Sequence, residues 1–267
     1  MFTGDYGFFD YKYNIPGYTG QDYGGTAQYV YLAISAVLLA AFLVALRRTP
    51  RDKVRKIVGF IGIFLTVMYI AKTSWESYYD IGQTGAFNTG LLPLDTCSLI
   101  MPAGIIAGFG KGKIQRAAWC WVATGSVVGG FATMLFLNAF YYYPFFSFGA
   151  TYSMVWHFLM VFSGLLILVT ERPPLRFPIV LNGFAFHLAA SLAVIPVDFI
   201  FDFDFMMYRR MGSVPFFEGV GAKLEEAGIV FLNPVIMLIL YFAAFSLIWL
   251  IAAGIKNGRK DHPIREQ

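Results

Sequence analysis

Residues 27–46, AQYVYLAISAVLLAAFLVAL, run for twenty positions without one charge; residues 47–56, RRTPRDKVRK, follow at once with six Lys and Arg against a single Asp. Twenty residues of helix at 1.5 Å each span ~30 Å, the thickness of a bilayer's hydrocarbon core. A basic cluster directly after such a stretch is what holds the end of a spanning helix on the cytoplasmic side. Working outward, six more stretches of similar character occur at about 57–77, 92–109, 117–138, 150–170, 177–197 and 229–255. The expected fold is therefore all-α: a polytopic membrane bundle of seven transmembrane helices.

Composition agrees. Of 267 residues, 58% are apolar and only 13% charged, with a mean hydropathy of +0.62. Soluble domains are nearer 45–50% apolar and 25% charged, so an ordinary soluble domain and a disordered chain are both excluded. The net charge of +4 reports topology, not nucleic-acid binding, because too little polar surface exists to hold a polyanion. Two cysteines cannot form a secreted disulfide scaffold. The start shows no basic segment leading into an apolar core, so no signal peptide is expected.

The connections divide by charge. Arg47, Arg48, Arg51, Lys53, Arg55 and Lys56 follow span one; Lys111, Lys113 and Arg116 follow span three; Arg172 and Arg176 follow span five; Lys256, Arg259, Lys260 and Arg265 lie in the tail. Fifteen of the twenty Lys and Arg thus share one side, which predicts the N-terminus outside and the C-terminus inside. The chain divides into an outer arm (1–26), the seven-helix domain (27–255) and a basic cytoplasmic tail (256–267). The arm carries Tyr6, Phe8, Phe9, Tyr11, Tyr13, Tyr18 and Tyr23, with Asp5, Asp10 and Asp22 against Lys12. Aromatics gather again at Tyr141-Tyr142-Tyr143-Pro144-Phe145-Phe146, for which a lipid-interface belt is at least as good a reading as a substrate role. The loop after span six holds Asp198, Asp202, Asp204, Glu218, Glu225 and Glu226. In span four, Gly125-x-x-x-Gly129 and Ser126-x-x-x-Gly130 permit close helix approach, within one chain more readily than between two. Pro102 cannot donate to the Ser98 carbonyl and should kink or loosen span three.

Ionisable residues inside a bilayer are costly and usually face the bundle interior. Lys72 and Glu76 are four apart, so they share a face and can pair. Cys97 falls ~8 Å and His157 ~10 Å below the same outer edge, with Asp95 shallower. Cys97 alone reads as a small buried residue, and His157 alone as an interhelical hydrogen-bonder. Together, near Lys72, Glu76 and Asp95, they suggest a Cys–His nucleophile, expected to form a thioester. Cys120, near the inner end of span four, is too far from Cys97 for a disulfide and reads as packing. His187, Ser191 and Asp198 lie on one face of span six, as a proton path or a structural stripe, with Asn182-Gly183 deeper inside. No C-x-x-C or H-x-x-x-H pattern supports zinc, and no cofactor is expected.

The segment Leu91-Leu92-Pro93-Leu94-Asp95-Thr96-Cys97-Ser98-Leu99 resembles the L-P-L-h-x-C-S signature opening the third span of YwaF-like bacterial integral membrane proteins. The resemblance continues through His157 after Phe148-Gly149-Ala150, Asn182-Gly183, and Asp204-Phe205-Met206-Met207-Tyr208, covering about residues 25–255. Many relatives carry His or Gln at the position of Asp95, and Asn at that of Asp204. The resemblance implies kinship with a eukaryotic phospholipid acyltransferase that uses a Cys and a His, here Cys97 and His157. The acyl group of the thioester is then expected to pass to a lyso-lipid or to water, as in a lipid acyltransferase or acyl hydrolase. It further implies a bacterial plasma-membrane location and membrane lipids as partners, with oligomeric state left open. The residues alone leave two rivals: a non-enzymatic transporter using Lys72, Glu76, His157, His187 and Asp198, and a receptor or structural protein with an acidic contact loop.

Overall fold

The computed structural model describes residues 6–11, 15, 25–136, 143–171, 175–211 and 215–258, without side chains at 215–218, 257 and 258. The helices are α1 (Thr26–Leu46), α2 (Arg51–Thr84), α3 (Ile100–Phe109), α4 (Gly112–Leu135), α5 (Phe148–Thr170), α6 (Pro178–Phe201), α7 (Pro215–Glu226) and α8 (Asn233–Gly258). Seven helical stretches are long and apolar enough to cross a membrane; the third is a composite, Thr89–Phe109. In hydrocarbon a backbone must satisfy its own N–H and C=O groups, which restricts apolar stretches of this length to helices. The chain is a multi-pass membrane protein.

Glycines end α2 and turn the chain between α3 and α4. Gly85 ends α2 in the left-handed region (φ 72°), its N–H returning to Ile81. Gly110 and Gly112 turn the chain between α3 and α4; Arg55 of α2 seals that corner, donating to the carbonyls of Ala107, Gly108 and Gly110 at 3.4, 3.3 and 3.1 Å. At 34 residues, α2 is longer than the expected 57–77 and spans ~50 Å, so it reaches beyond the apolar layer.

Packing centres on α4, whose residues Ala118–Val127 are all buried. Small residues allow this. A Cβ on Gly130 would approach the His157 carbonyl at 3.1 Å, and one on Gly164 of α5 would approach the Val122 carbonyl at 2.5 Å. Ser126 Oγ donates to the carbonyls of Val122 and Met160 at 2.5 and 3.0 Å. The small-residue motif of span four thus serves intramolecular packing. A second contact of this kind, unmarked in the sequence reading, joins α2 to α3, where Gly59 and Gly62 meet Gly108 and Gly104 backbone to backbone. Outward faces such as Phe60, Val67, Leu192 and Ile239 are exposed, as lipid-facing residues must be.

Three expectations need correction. Span three is not one helix: 3-10 turns at Thr89–Leu91 and Thr96–Leu99 precede a ten-residue α3. Pro102 sits in the first turn of α3, where its missing N–H is least disruptive, so the break falls upstream of it. The aromatic loop is not a lipid belt alone: among its described residues, Tyr143 and Phe145 are buried and Phe146 faces out. The arm packs on them. Tyr6 donates to the Phe145 carbonyl at 2.9 Å, Phe148 N–H to Phe8 at 2.7 Å and Trp75 Nε1 to Phe9 at 3.1 Å. Tyr11 is fully buried, hydrogen-bonded to Asp80 and stacked on Tyr79. Finally, the loop after span six contains α7 and a turn folded back into the bundle. Expectations on Asp5, Lys12, Tyr13, Tyr18, Asp22, Tyr23, Tyr141, Tyr142, Arg172, the Glu218 side chain, Arg259, Lys260 and Arg265 fall outside the described residues.

Candidate functional site

The break in span three puts Cys97 in a 3-10 turn with its side chain half-buried. Irregular backbone at membrane depth persists only where protein or a cavity surrounds it, and here it borders a cavity of about 400 Å³. Small-ligand pockets usually measure about 300–1,000 Å³. Cys97 and His157 both line it, with Tyr69 and Lys72 of α2, Asp95, Thr133 of α4, Tyr152 and Trp156 of α5, and Tyr241 of α8. Gly90, Asp95 and Phe136 form an exposed rim. The cavity lies in the half of the bundle away from the basic cluster at 47–56, ~30 Å along α2 from Arg51 to Lys72.

The two central residues are held separately. Cys97 Sγ lies 3.7 Å from Thr133 Oγ1, and Gly129 leaves room beside it, since a Cβ there would sit 3.8 Å from the sulfur. His157 is buried; its Nδ1 is 2.7 Å from the Ser153 carbonyl one turn back. A carbonyl can only accept, so Nδ1 carries the proton and Nε2 keeps a lone pair. No hydrogen bond joins Sγ to the imidazole in this arrangement. Gly129 and Gly130 allow α4 to meet the Cys97 turn on one side and the His157 turn on the other.

Lys72 is paired with Glu76 as the spacing suggested, and its Nζ stands 5.7 Å from the Tyr152 ring centroid. Asp95 accepts from the Met206 backbone. That contact belongs to the returning turn, Phe205–Met207, which roofs the cavity with Met206 and Met207. The turn is anchored by the polar stripe of α6. Asp198 Oδ1 accepts from Phe205 N–H at 3.0 Å. Ser191 Oγ is 2.5 Å from Tyr208 OH, which lies 3.4 Å from His187 Nε2. Burial pushes the Tyr208 phenol up to about 12. Asp204 receives the N–H groups of Arg209 and Arg210 at 2.9 and 2.7 Å, and Asn233 Nδ2 donates to Arg209 at 2.6 Å. Four non-glycine residues, Asp202, Met206, Met207 and Met211, adopt left-handed backbone here, a conformation that persists only where surrounding contacts over-determine it.

His187 and Asp198 thus shape the roof and do not line the cavity. Asn182 is elsewhere: it donates to the Pro178 carbonyl and borders a second cavity among the arginines. Gly183 beside it is a close contact with α4. Cys120, expected as simple packing, is buried but also borders that second cavity. Thr133, Tyr152, Trp156, Tyr241 and the two methionines went unnoticed in the sequence, where each is one more apolar or weakly polar residue among many. The charge of Asp204 was visible, but not the fold-back it anchors.

No curated protein and no solved structure matches the chain. A family model described as the TMEM164 family matches residues 23–255. Because that match covers nearly the whole bundle, including the broken third span and the returning turn, the chain belongs to the TMEM164 family.

Proposed function

We propose that this protein transfers acyl groups between membrane lipids, with Cys97 as nucleophile and His157 as the proton carrier. The observation that carries this is the convergence of a half-buried thiol and a buried imidazole, its Nε2 lone pair unprotonated, on one cavity in an apolar bundle. The imidazole takes the thiol proton as Sγ bonds to an ester carbonyl carbon. The tetrahedral adduct collapses with cleavage of the ester C–O bond; His157 returns the proton to the leaving lyso-lipid oxygen, and a thioester remains. An acceptor hydroxyl then gives its proton to Nε2 and attacks the thioester, and the thiol is restored. The adduct's negative oxygen needs donors. The turn at Thr96–Leu99 supplies candidates: its first backbone bond is Ser98 N–H to Asp95 at 2.9 Å, leaving the Thr96 and Cys97 N–H groups outside the helical ladder. Bringing Sγ from Thr133 to within reach of Nε2 requires a side-chain rotation on substrate entry.

The transporter alternative is less well supported. The two cavities at opposite ends share no lining residue, and α4 between them, Trp121–Val127, is buried. The charge distribution supports an orientation with the arginine-rich end in the cytoplasm of a plasma membrane and the Cys97 cavity toward the outer leaflet. Cysteine at Phe146 should then react with an impermeant thiol reagent on intact cells, and cysteine at Lys53 only after lysis; the reverse pattern overturns the orientation.

The chemistry is tested by trapping the intermediate. Purified protein in vesicles of phospholipid with alkyne-tagged acyl chains should acquire a hydroxylamine-labile label. Cys97→Ala should abolish it and Cys120→Ala should keep it. Absence of label, or label that survives Cys97→Ala, removes the proposal.

A further inference from the structure

The larger cavity, about 900 Å³, lies at the opposite end of the bundle. Arg47, Arg48, Arg51, Arg116 and Arg176 all border it, and among the described residues Glu171 is the one carboxylate in its lining. These arginines come from separate elements: the end of α1 and the segment after it, the first turn of α2, α4, and the approach to α6. Folding gathers them against their mutual repulsion. Of these five arginines, only Arg51 has an ion-pair partner among the described residues, Glu171 at 3.4 Å. Three helices also begin at this end, α2, α4 and α6, and none has a side-chain cap. Their positive dipole ends add to the field.

A second observation points to a ligand. Trp119, in the lining, is 3% exposed and its indole Nε1 has no hydrogen-bond partner. A buried donor without a partner is costly, and the residue that carries it lines a cavity ringed by cations. Arg51 stands 5.6 Å over the same ring, and Leu175, Ile179 and Cys120 continue the apolar wall. Bidentate guanidinium donors, an indole N–H and an apolar wall together suit an amphiphile with a phosphate head.

We propose that the cavity among Arg47, Arg48, Arg51, Arg116 and Arg176 binds a phosphate group, with Trp119 Nε1 as a further donor. The group can come from an anionic lipid headgroup or from a free phosphate. This does not depend on the acyl-transfer chemistry at Cys97, which lies in the other cavity.

The test measures thermal unfolding of the full-length protein in neutral detergent. The probes are dioctanoyl phosphatidic acid, dioctanoyl phosphatidylcholine and inorganic phosphate. Phosphatidic acid should raise the midpoint at concentrations where the net-neutral phosphatidylcholine does not, and 0.5 M NaCl should weaken the effect. Arg116→Gln with Arg176→Gln should raise the half-saturating concentration roughly tenfold or more, from the loss of charge-assisted hydrogen bonds. Lys53→Gln, a cation outside the lining, should change it less than about twofold, as expected for a screened surface charge. Trp119→Phe keeps the ring and removes the N–H; it should weaken binding even if the arginine variant does not fold. A response to inorganic phosphate equal to that of phosphatidic acid identifies a free anion as the source; a response to the lipid alone identifies the headgroup. Equal response to both lipids in the wild type, or full retention of binding in Trp119→Phe and in any folded arginine variant, overturns the proposal.

Discussion

His157 on α5 and His187 on α6 are both buried histidines in membrane-spanning helices, yet their surroundings differ. His187 sits 4.3 Å from the Tyr241 ring and 5.6 Å from Phe245, with Nε2 toward Tyr208 and Ser191. Its neighbours bond to one another and clamp the returning turn. His157 fixes one nitrogen on its own helix and borders open space with the other side of the ring. A polar network bonded mainly to itself rigidifies a fold, although here His187 Nδ1 and Asp198 Oδ2 stay buried without a partner among the described residues; a site that leaves an acceptor beside a thiol and a cavity can do chemistry. The difference lies in what faces the side chain, not in the side chain itself.

The largest expected effect separates the two histidines by readout. His157→Gln should lower acyl transfer by about 10²–10⁴-fold, the usual worth of a positioned acid–base group, with little change in thermal midpoint. His187→Gln should instead cost about 1–3 kcal/mol of stability, as packing and hydrogen-bond losses in cores do. Activity per folded molecule and unfolding midpoint, measured on both variants, decide it. If His187→Gln loses rate at full stability while His157→Gln keeps rate, the roles assigned here are reversed.

That comparison was only partly legible in the sequence. Spanning helices follow from composition, because uncharged runs of twenty residues have few other solutions in lipid. The matching depths expected for Cys97 and His157 rest on helical rise from Leu92, which the 3-10 turns before α3 do not follow; what the structure gives instead is one cavity lined by both. What could not be read was the break between Leu92 and Leu99: the whole stretch Thr89–Phe109 is apolar enough to span, and Pro93 and Pro102 mark only that something interrupts it. The fold-back at 202–211 was still less visible. Its left-handed positions fall on Met206, Met207 and Met211, where no glycine signals a turn. The arginine cavity was hidden for another reason: each arginine was already accounted for by membrane orientation, which carries no information on whether they converge.

A smaller effect should come from the anchor of the returning turn. Asp198→Ala leaves the Phe205 N–H without its acceptor, and a buried donor so orphaned costs about 1–3 kcal/mol. Asp198→Asn keeps an oxygen in place and should cost less. Amide exchange over 203–211 should quicken in Asp198→Ala more than in Asp198→Asn. Equal loss of acyl transfer in both variants, with stability intact, would mean that the Asp198 charge is used in the reaction and that the stripe is not closed after all.

The smallest expected effect comes from a third setting, where the carboxylate is fully wet. Asp202 ends α6 in the left-handed region and accepts from Arg209 Nε at 2.5 Å and Arg210 at 2.6 Å. Those two guanidinium groups hold its carboxyl below the usual range. A depressed carboxylate stabilises the fold above its unfolded pKa, about 3.9, and that contribution is lost as pH falls through the lower folded value. Asp202→Asn is a clean comparison, because Asn tolerates left-handed backbone and removes only the charge. The midpoint difference between wild type and Asp202→Asn should be constant from pH 7 to about 5 and shrink below about 4. It should also shrink in 0.5 M salt, since exposed pairs are screened. A difference that persists into acid and high salt would place the role of Asp202 in its backbone geometry and not in its charge. The wet pair would then hold the returning turn by the same structural means as buried Asp198, narrowing the contrast between closed network and open cavity to the two histidines alone.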